Sequence, residues 1–94
     1  MNKNVYSKDL SSLSKLLFSI DNQKELHDFL EDILTPQEII WISERISLCR
    51  ELLKGKTQRY ISSKLWISIT TVNRWSRMLQ FGTKALGNVL KRFI

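Results

Sequence analysis

The segment LTPQEIIWISERISLCRELLKG, Leu34 to Gly55, constrains the fold more than any other. It opens on a helix-start signal. Thr35 stands at an N-cap position, Pro36 follows at the first helical position, and Glu38 is placed to close a capping box. The helix runs to about Lys54, where Gly55 supplies a left-handed stop. On a helical wheel, Ile39, Ile42, Ile46, Cys49 and Leu53 form one apolar stripe, and Trp41, Leu48 and Leu52 form a second. Glu38 and Arg45 occupy the gap between the stripes. A helix apolar on two faces must be covered on two faces. Five other short helices in a chain of 94 residues supply little cover and bury little surface. The segment therefore reads as the centre of a homodimer, with a self-contained monomer core as the alternative.

The rest of the chain is also helical in period, and no alternating strand pattern competes. Leu10, Leu13, Leu16, Leu17 and Ile20 mark a first helix behind a polar arm, residues 1–8; Leu26, Phe29, Leu30 and Ile33 mark a second. Thr57 is placed to cap a fourth helix over Gln58 to Leu65. Ser68 is placed to cap a fifth, Ile69 to about Phe81, followed by Gly82, and Thr83 opens a last helix over 83–94. The expectation is an all-α chain with six helices in a single domain. Residues 9–54 are its dimerisation helices and 57–81 a helix-turn-helix. No apolar run is long enough to span a bilayer. Ser11, Ser12, Ser14 and Lys15 interrupt the leucines that a signal peptide would need unbroken. Cys49, alone, excludes an internal disulfide and fits a reducing cytosol.

The net charge of +6 is unevenly spread. All nine acidic residues precede residue 52, whereas nine basic residues and no acidic one follow residue 53. The first 53 residues carry six basic groups against those nine acids, a sum of −3, and the last 41 carry +9. Ordinary basic surfaces intersperse the two signs. An acid-free half calls for a polyanionic partner, with nucleic acid ahead of an anionic membrane surface.

Within that half lies QRYISSKLWISITTVNR, residues 58–74. Ile61 and Leu65 sit on one short helix, Ile67 in a turn, and Ile69 and Val72 on the next. Two helices packed through these positions at a steep angle make a helix-turn-helix. The second helix then projects Thr70, Thr71, Asn73, Arg74 and Arg77. Threonine and asparagine hydrogen-bond base edges, and arginine forks onto guanine or holds phosphate. An ordinary pair of solvated helices would share the spacing; the acid-free charge tips the balance to DNA. Trp66 falls where such turns usually carry glycine in a left-handed conformation; it is expected to pack as a lid on the helix pair, with a contact to the sugar-phosphate backbone as the alternative.

Catalytic and metal readings are poor. His27 sits among Glu25, Asp28 and Glu31 on the polar side of the second helix, and one histidine with one cysteine makes no structural zinc site. Cys49 belongs to an apolar stripe and reads as a buried, inert thiol. Gly55, Gly82 and Gly87 are isolated, so no phosphate-cradling loop exists, and Glu31 with Asp32 reads as solvated charge. Neither an enzyme nor a metal cofactor is expected.

The motifs LTPQE, RELLKGKTQRYI, SITTVNR and MLQFGTKAL resemble the Trp repressor superfamily in order and spacing over roughly residues 10–94. Phe81-Gly82 after the recognition helix is most similar to the YerC/YecD-type branch. The resemblance implies an intertwined six-helix homodimer that represses transcription in a bacterial cytoplasm, on the nucleoid, by placing two recognition helices in successive major grooves. It places Arg59, Ile69, Thr70 and Asn73 at DNA-contacting positions. With the basic and polar neighbours Lys56, Gln58, Lys64, Ser68, Thr71, Arg74 and Arg77, these form the candidate DNA-binding set. Arg45 and Arg74 match the arginines that flank a corepressor indole, and Leu34 and Thr35 match the pocket edge. Trp75 replaces a glycine and Met78 a serine of that pocket, so L-tryptophan is not expected as corepressor and any small-molecule effector is unknown. Two alternatives remain: a non-specific architectural or RNA-binding protein, and a helix-turn-helix module derived from a transposase.

Overall fold

The computed structural model describes residues 3–93, and every regular element among them is helical. The order is α1 (Lys3–Phe18), α2 (Gln23–Ile33), α3 (Pro36–Leu53), α4 (Gln58–Leu65), α5 (Ile69–Phe81) and α6 (Ala85–Lys91). No helix among the described residues is long and apolar enough to cross a membrane. Two boundaries differ from expectation. Residues 3–8 form the opening of α1 rather than an arm, since nothing in that stretch breaks a helix; residues 1 and 2 lie outside the described residues. The last helix is Ala85–Lys91 rather than 83–94. Thr83 stands before it, its hydroxyl accepting the Ala85 N–H at 3.3 Å, and Lys84 takes the left-handed turn at φ 75°. Ile94 lies outside the described residues.

By compactness the chain divides into two units, Met1–Pro36 and Gln37–Ile94. The reason is visible in what each buries. In the amino-terminal unit, Asn22 caps α2 by accepting the Glu25 N–H at 2.8 Å, but no side chain described there is buried. Leu10, Leu13 and Leu16 are half exposed, and Phe18 is 92% exposed.

The carboxy-terminal unit has a core. Leu48 of α3, Ile61 of α4 and Val72 of α5 are buried together, with Leu52, Leu65, Ile67 and Trp75 packed around them. Each such aliphatic side chain contributes roughly 1.5–3 kcal/mol on full burial. Cys49 and Leu90 are also buried, and burial pushes the Cys49 thiol pKa up, which keeps it protonated and unreactive at neutral pH. Gly55 ends the α3 segment at φ 84° as expected, with open space around it, so its requirement is purely conformational. Gly82 differs: its φ is −80°, but a Cβ there would lie 2.6 Å from the Met78 carbonyl oxygen. Close approach is what that position demands. On α6, Gly87 lies against Leu53 and Leu79.

Candidate nucleic-acid interface

Helices α4 and α5 are each capped as their sequences dictate. The Thr57 hydroxyl accepts the Tyr60 N–H at 3.1 Å, and the Ser68 hydroxyl accepts the Thr71 N–H at 3.2 Å. Between them, Trp66 adopts the left-handed conformation, φ 58° and ψ 40°. Ser62 closes the turn: its carbonyl accepts the N–H groups of Trp66 and Ile67, and its hydroxyl donates to the Ile67 carbonyl at 2.5 Å. The expectation that Trp66 packs on the helix pair is corrected, because its residue is 94% exposed. The backbone bends back over Ser62 and carries the indole outward.

Helix α5 has two faces with different chemistry. Val72 is buried and Trp75 packs beside it. The opposite face lines a groove of about 680 Å³ with Ile69, Thr70, Asn73, Arg74, Arg77, Met78, Phe81 and Gly82. The side chains of Thr70 and Asn73 make no hydrogen bond among the described residues, so their polar groups stay available for an external one. The Arg77 guanidinium lies 6.0 Å from the centre of the Phe81 ring one turn on.

Other members of the candidate set are placed differently. The hydroxyls of Ser68 and Thr71 bond to each other at 2.9 Å, and Thr71 lines a second cavity rather than the groove. Lys56 and Lys64 lie 5.4 and 5.7 Å from the centre of the Tyr60 ring. Lys64 is also paired with Glu51 at 3.1 Å. That hydrogen bond holds the Glu51 carboxyl below its ordinary pKa and the Lys64 ammonium above its own. Arg59 is exposed and Gln58 half-buried.

The second cavity, about 480 Å³, is lined by Trp41, Glu44, Arg45, Leu48, Ile67, Thr71, Arg74 and Trp75. It gathers three of the expected pocket residues, Arg45, Arg74 and Trp75. Met78 is not among them, because it opens onto the groove. Leu34 and Thr35 belong to the amino-terminal unit, and the cavity residues belong to the other. Trp75 is a wall of this cavity, with the Arg45 guanidinium 5.6 Å from its ring centre. Trp41 and Glu44 escaped the sequence reading; Trp41 was visible there only as part of an apolar stripe. His27, Asp28 and Glu31 bring potential metal ligands within 4.8 Å of one another. All three are exposed, His27 Nδ1 lies 3.2 Å from Asp28, and Asp28 is paired with Lys24 at 2.9 Å, as in a solvated network.

Residues 8–94 match the Trp repressor protein family. The chain belongs to that family. Among similar proteins, the uncharacterized YerC of Bacillus subtilis (strain 168) is 29% identical over 85 residues, spanning 90% of this chain and 82% of YerC, which supports the YerC-type branch. The Trp operon repressor homolog of Xylella fastidiosa (strain M23) is 38% identical over 69 residues, 72% of this chain and 75% of the relative. A TrpR-like protein from Eubacterium eligens ATCC 27750 superposes with a TM-score of 0.79 at 27% identity, covering 98% of this chain and 95% of that structure. For a candidate Trp repressor from Staphylococcus aureus the TM-score is 0.76 at 28% identity, with 92% and 86% covered. Membership in the Trp repressor family points to a DNA-binding regulator rather than an enzyme.

Proposed function

We propose that this Trp repressor family member is a sequence-specific transcriptional repressor that binds palindromic duplex DNA as an intertwined homodimer. Helix α5 enters the major groove. Thr70, Asn73 and Arg74 read base edges, while Lys56, Arg59 and Arg77 hold phosphates. The observation that carries the reading is the division of α5: one face is anchored by Val72, and the other offers the side chains of Thr70 and Asn73, which make no hydrogen bond among the described residues. The apolar residues left exposed on α1 to α3, Leu10, Leu13, Leu16, Phe18, Ile39 and Ile42, support a second copy as their cover. Relatives named Trp operon repressor homologs support repression, and the setting is the cytoplasm, at the nucleoid.

Selection of bound fragments from random duplexes tests the proposal. The expected result is a palindrome with half-site centres about 34 Å apart. Equal affinity for selected and random DNA at physiological salt would favour a non-specific architectural protein, which the acid-free basic half also suits.

L-tryptophan does not serve as corepressor in this reading. The Arg45 guanidinium that would stack on a ligand's ring already lies over Trp75, an interaction worth about 0.5–1 kcal/mol at an exposed site. A ligand indole would have to displace it. Calorimetry with L-tryptophan is expected to show no binding in the micromolar range, and operator affinity should not change on its addition.

A further inference from the structure

Trp66 combines two features that nothing among the described residues compensates. It is 94% exposed, against 51% for Trp41, and it holds a left-handed backbone at φ 58°, a region that favours glycine. The turn does not need the indole, since Ser62 closes it entirely through backbone groups and its own hydroxyl. Glycine would satisfy this turn with less strain and without leaving a large aromatic surface in water. The use of this side chain therefore lies outside the folded chain.

We propose that Trp66 is a sequence-independent anchor on duplex DNA, its ring lying on a deoxyribose at the wall of the major groove and its indole N–H donating to a phosphate oxygen. This rests on the DNA-binding reading of α5 and extends it to a residue off the recognition helix. Ile69 opens the α5 groove face, and Trp66 precedes it by three residues, a reach of at most about 11 Å. The major groove is about 12 Å wide, so an indole standing off a helix seated in it meets sugar and phosphate rather than bases. The charge around the turn selects the same partner. No acidic residue follows Glu51, and Glu51 itself is paired with Lys64, leaving a cationic surface with an aromatic set into it. Sugars offer apolar edges and phosphates offer acceptors, and the indole has a face and a single donor to match.

The test compares wild-type protein with Trp66→Gly and Trp66→Phe on a selected operator duplex and an unrelated duplex, alongside thermal unfolding. Trp66→Gly is expected to weaken binding to both duplexes about tenfold. The slope of affinity against salt should stay unchanged because no charge is removed. The same variant should unfold about 4 °C higher or more, through relief of the left-handed strain. Trp66→Phe, which keeps a ring but loses the N–H, should fall between the two. Wild-type affinity in Trp66→Gly, with both proteins binding DNA, overturns this inference alone. Loss of self-association with unchanged DNA affinity assigns the indole to a second copy and overturns it as well. Absence of duplex binding by the wild type would remove the DNA-binding reading and this inference together.

Discussion

Helices α1 and α2 and helices α4 and α5 are all amphipathic, yet only the second pair belongs to a unit that buries a core. The first pair is the longer, 16 and 11 residues against 8 and 13, so length does not decide the matter. What decides it is a third element: Leu48 of α3 closes the space between Ile61 and Val72. Among the described residues of the amino-terminal unit, none does the same for Leu10, Leu13 and Leu16. Charge divides the chain in the same sense, −3 in the first 53 residues and +9 in the last 41. In the function we propose, one half is built to be covered and the other to meet a polyanion.

The largest expected effect breaks that contrast at its uncovered side. Leu13→Glu places a charge on a face that we propose a second copy covers. An unpaired carboxylate there should cost more than about 4 kcal/mol and convert dimer to monomer or unfolded chain, since obligate dimers often lack a stable monomer. Sedimentation at micromolar concentration reads the result. An unchanged mass and melting temperature would show that the face is free in solution.

The covered side responds through its own core. Ile61→Ala removes the central α4 anchor and should cost about 2–5 kcal/mol, visible in chemical denaturation as a lower midpoint at an unchanged slope. A loss under about 1 kcal/mol would mean that the three-helix core is not the source of that unit's order.

Asn73→Ala should leave stability near wild type, because the Asn73 side chain is exposed and makes no hydrogen bond among the described residues. It should relax preference at one base pair at a cost of about 1–3 kcal/mol. Competition among operators altered one position at a time checks this. A uniform loss across all positions would make Asn73 a phosphate contact instead.

The helices and their caps were legible because they depend on local chemistry. Thr57 and Ser68 cap where hydroxyls precede helical periods, and Gly55 turns left-handed where the sequence places it. The left-handed turn at Trp66 was legible from its place in the motif, but its exposure was not. Periodicity records which face a residue occupies on a helix, and Trp66 is on none. The division of polar groups on α5 was half legible. The sequence groups Ser68 and Thr71 with Thr70 and Asn73, and only the hydrogen bonds separate spent hydroxyls from free ones. The family resemblance put Met78 in one pocket with Arg45, yet the two residues lie on different cavities.

The smallest expected effect distinguishes two lysines that sequence treats alike. Lys56 and Lys64 both approach Tyr60, but only Lys64 is hydrogen-bonded to Glu51, the last acid in the chain. A lysine that meets a phosphate changes the slope of log affinity against log salt by about one unit on removal. Lys56→Ala should give that full change. Lys64→Ala should give less, because part of its charge is already compensated by Glu51. Glu51→Gln tests the compensation directly: it frees Lys64, and should strengthen DNA binding at low salt while steepening the salt dependence. Acid should imitate the substitution. Lys64 holds the Glu51 carboxyl below its ordinary pKa. The pair's contribution to stability is therefore complete above the ordinary glutamate pKa and disappears as pH falls through the lowered one. Lys64 stays charged throughout, its own pKa being raised. Binding of wild type and Glu51→Gln should thus differ at neutral pH and converge in acid below that value. Equal salt slopes for Lys56→Ala and Lys64→Ala, with no response to Glu51→Gln, would mean that the pair opens freely on DNA and that both lysines serve the phosphates alike.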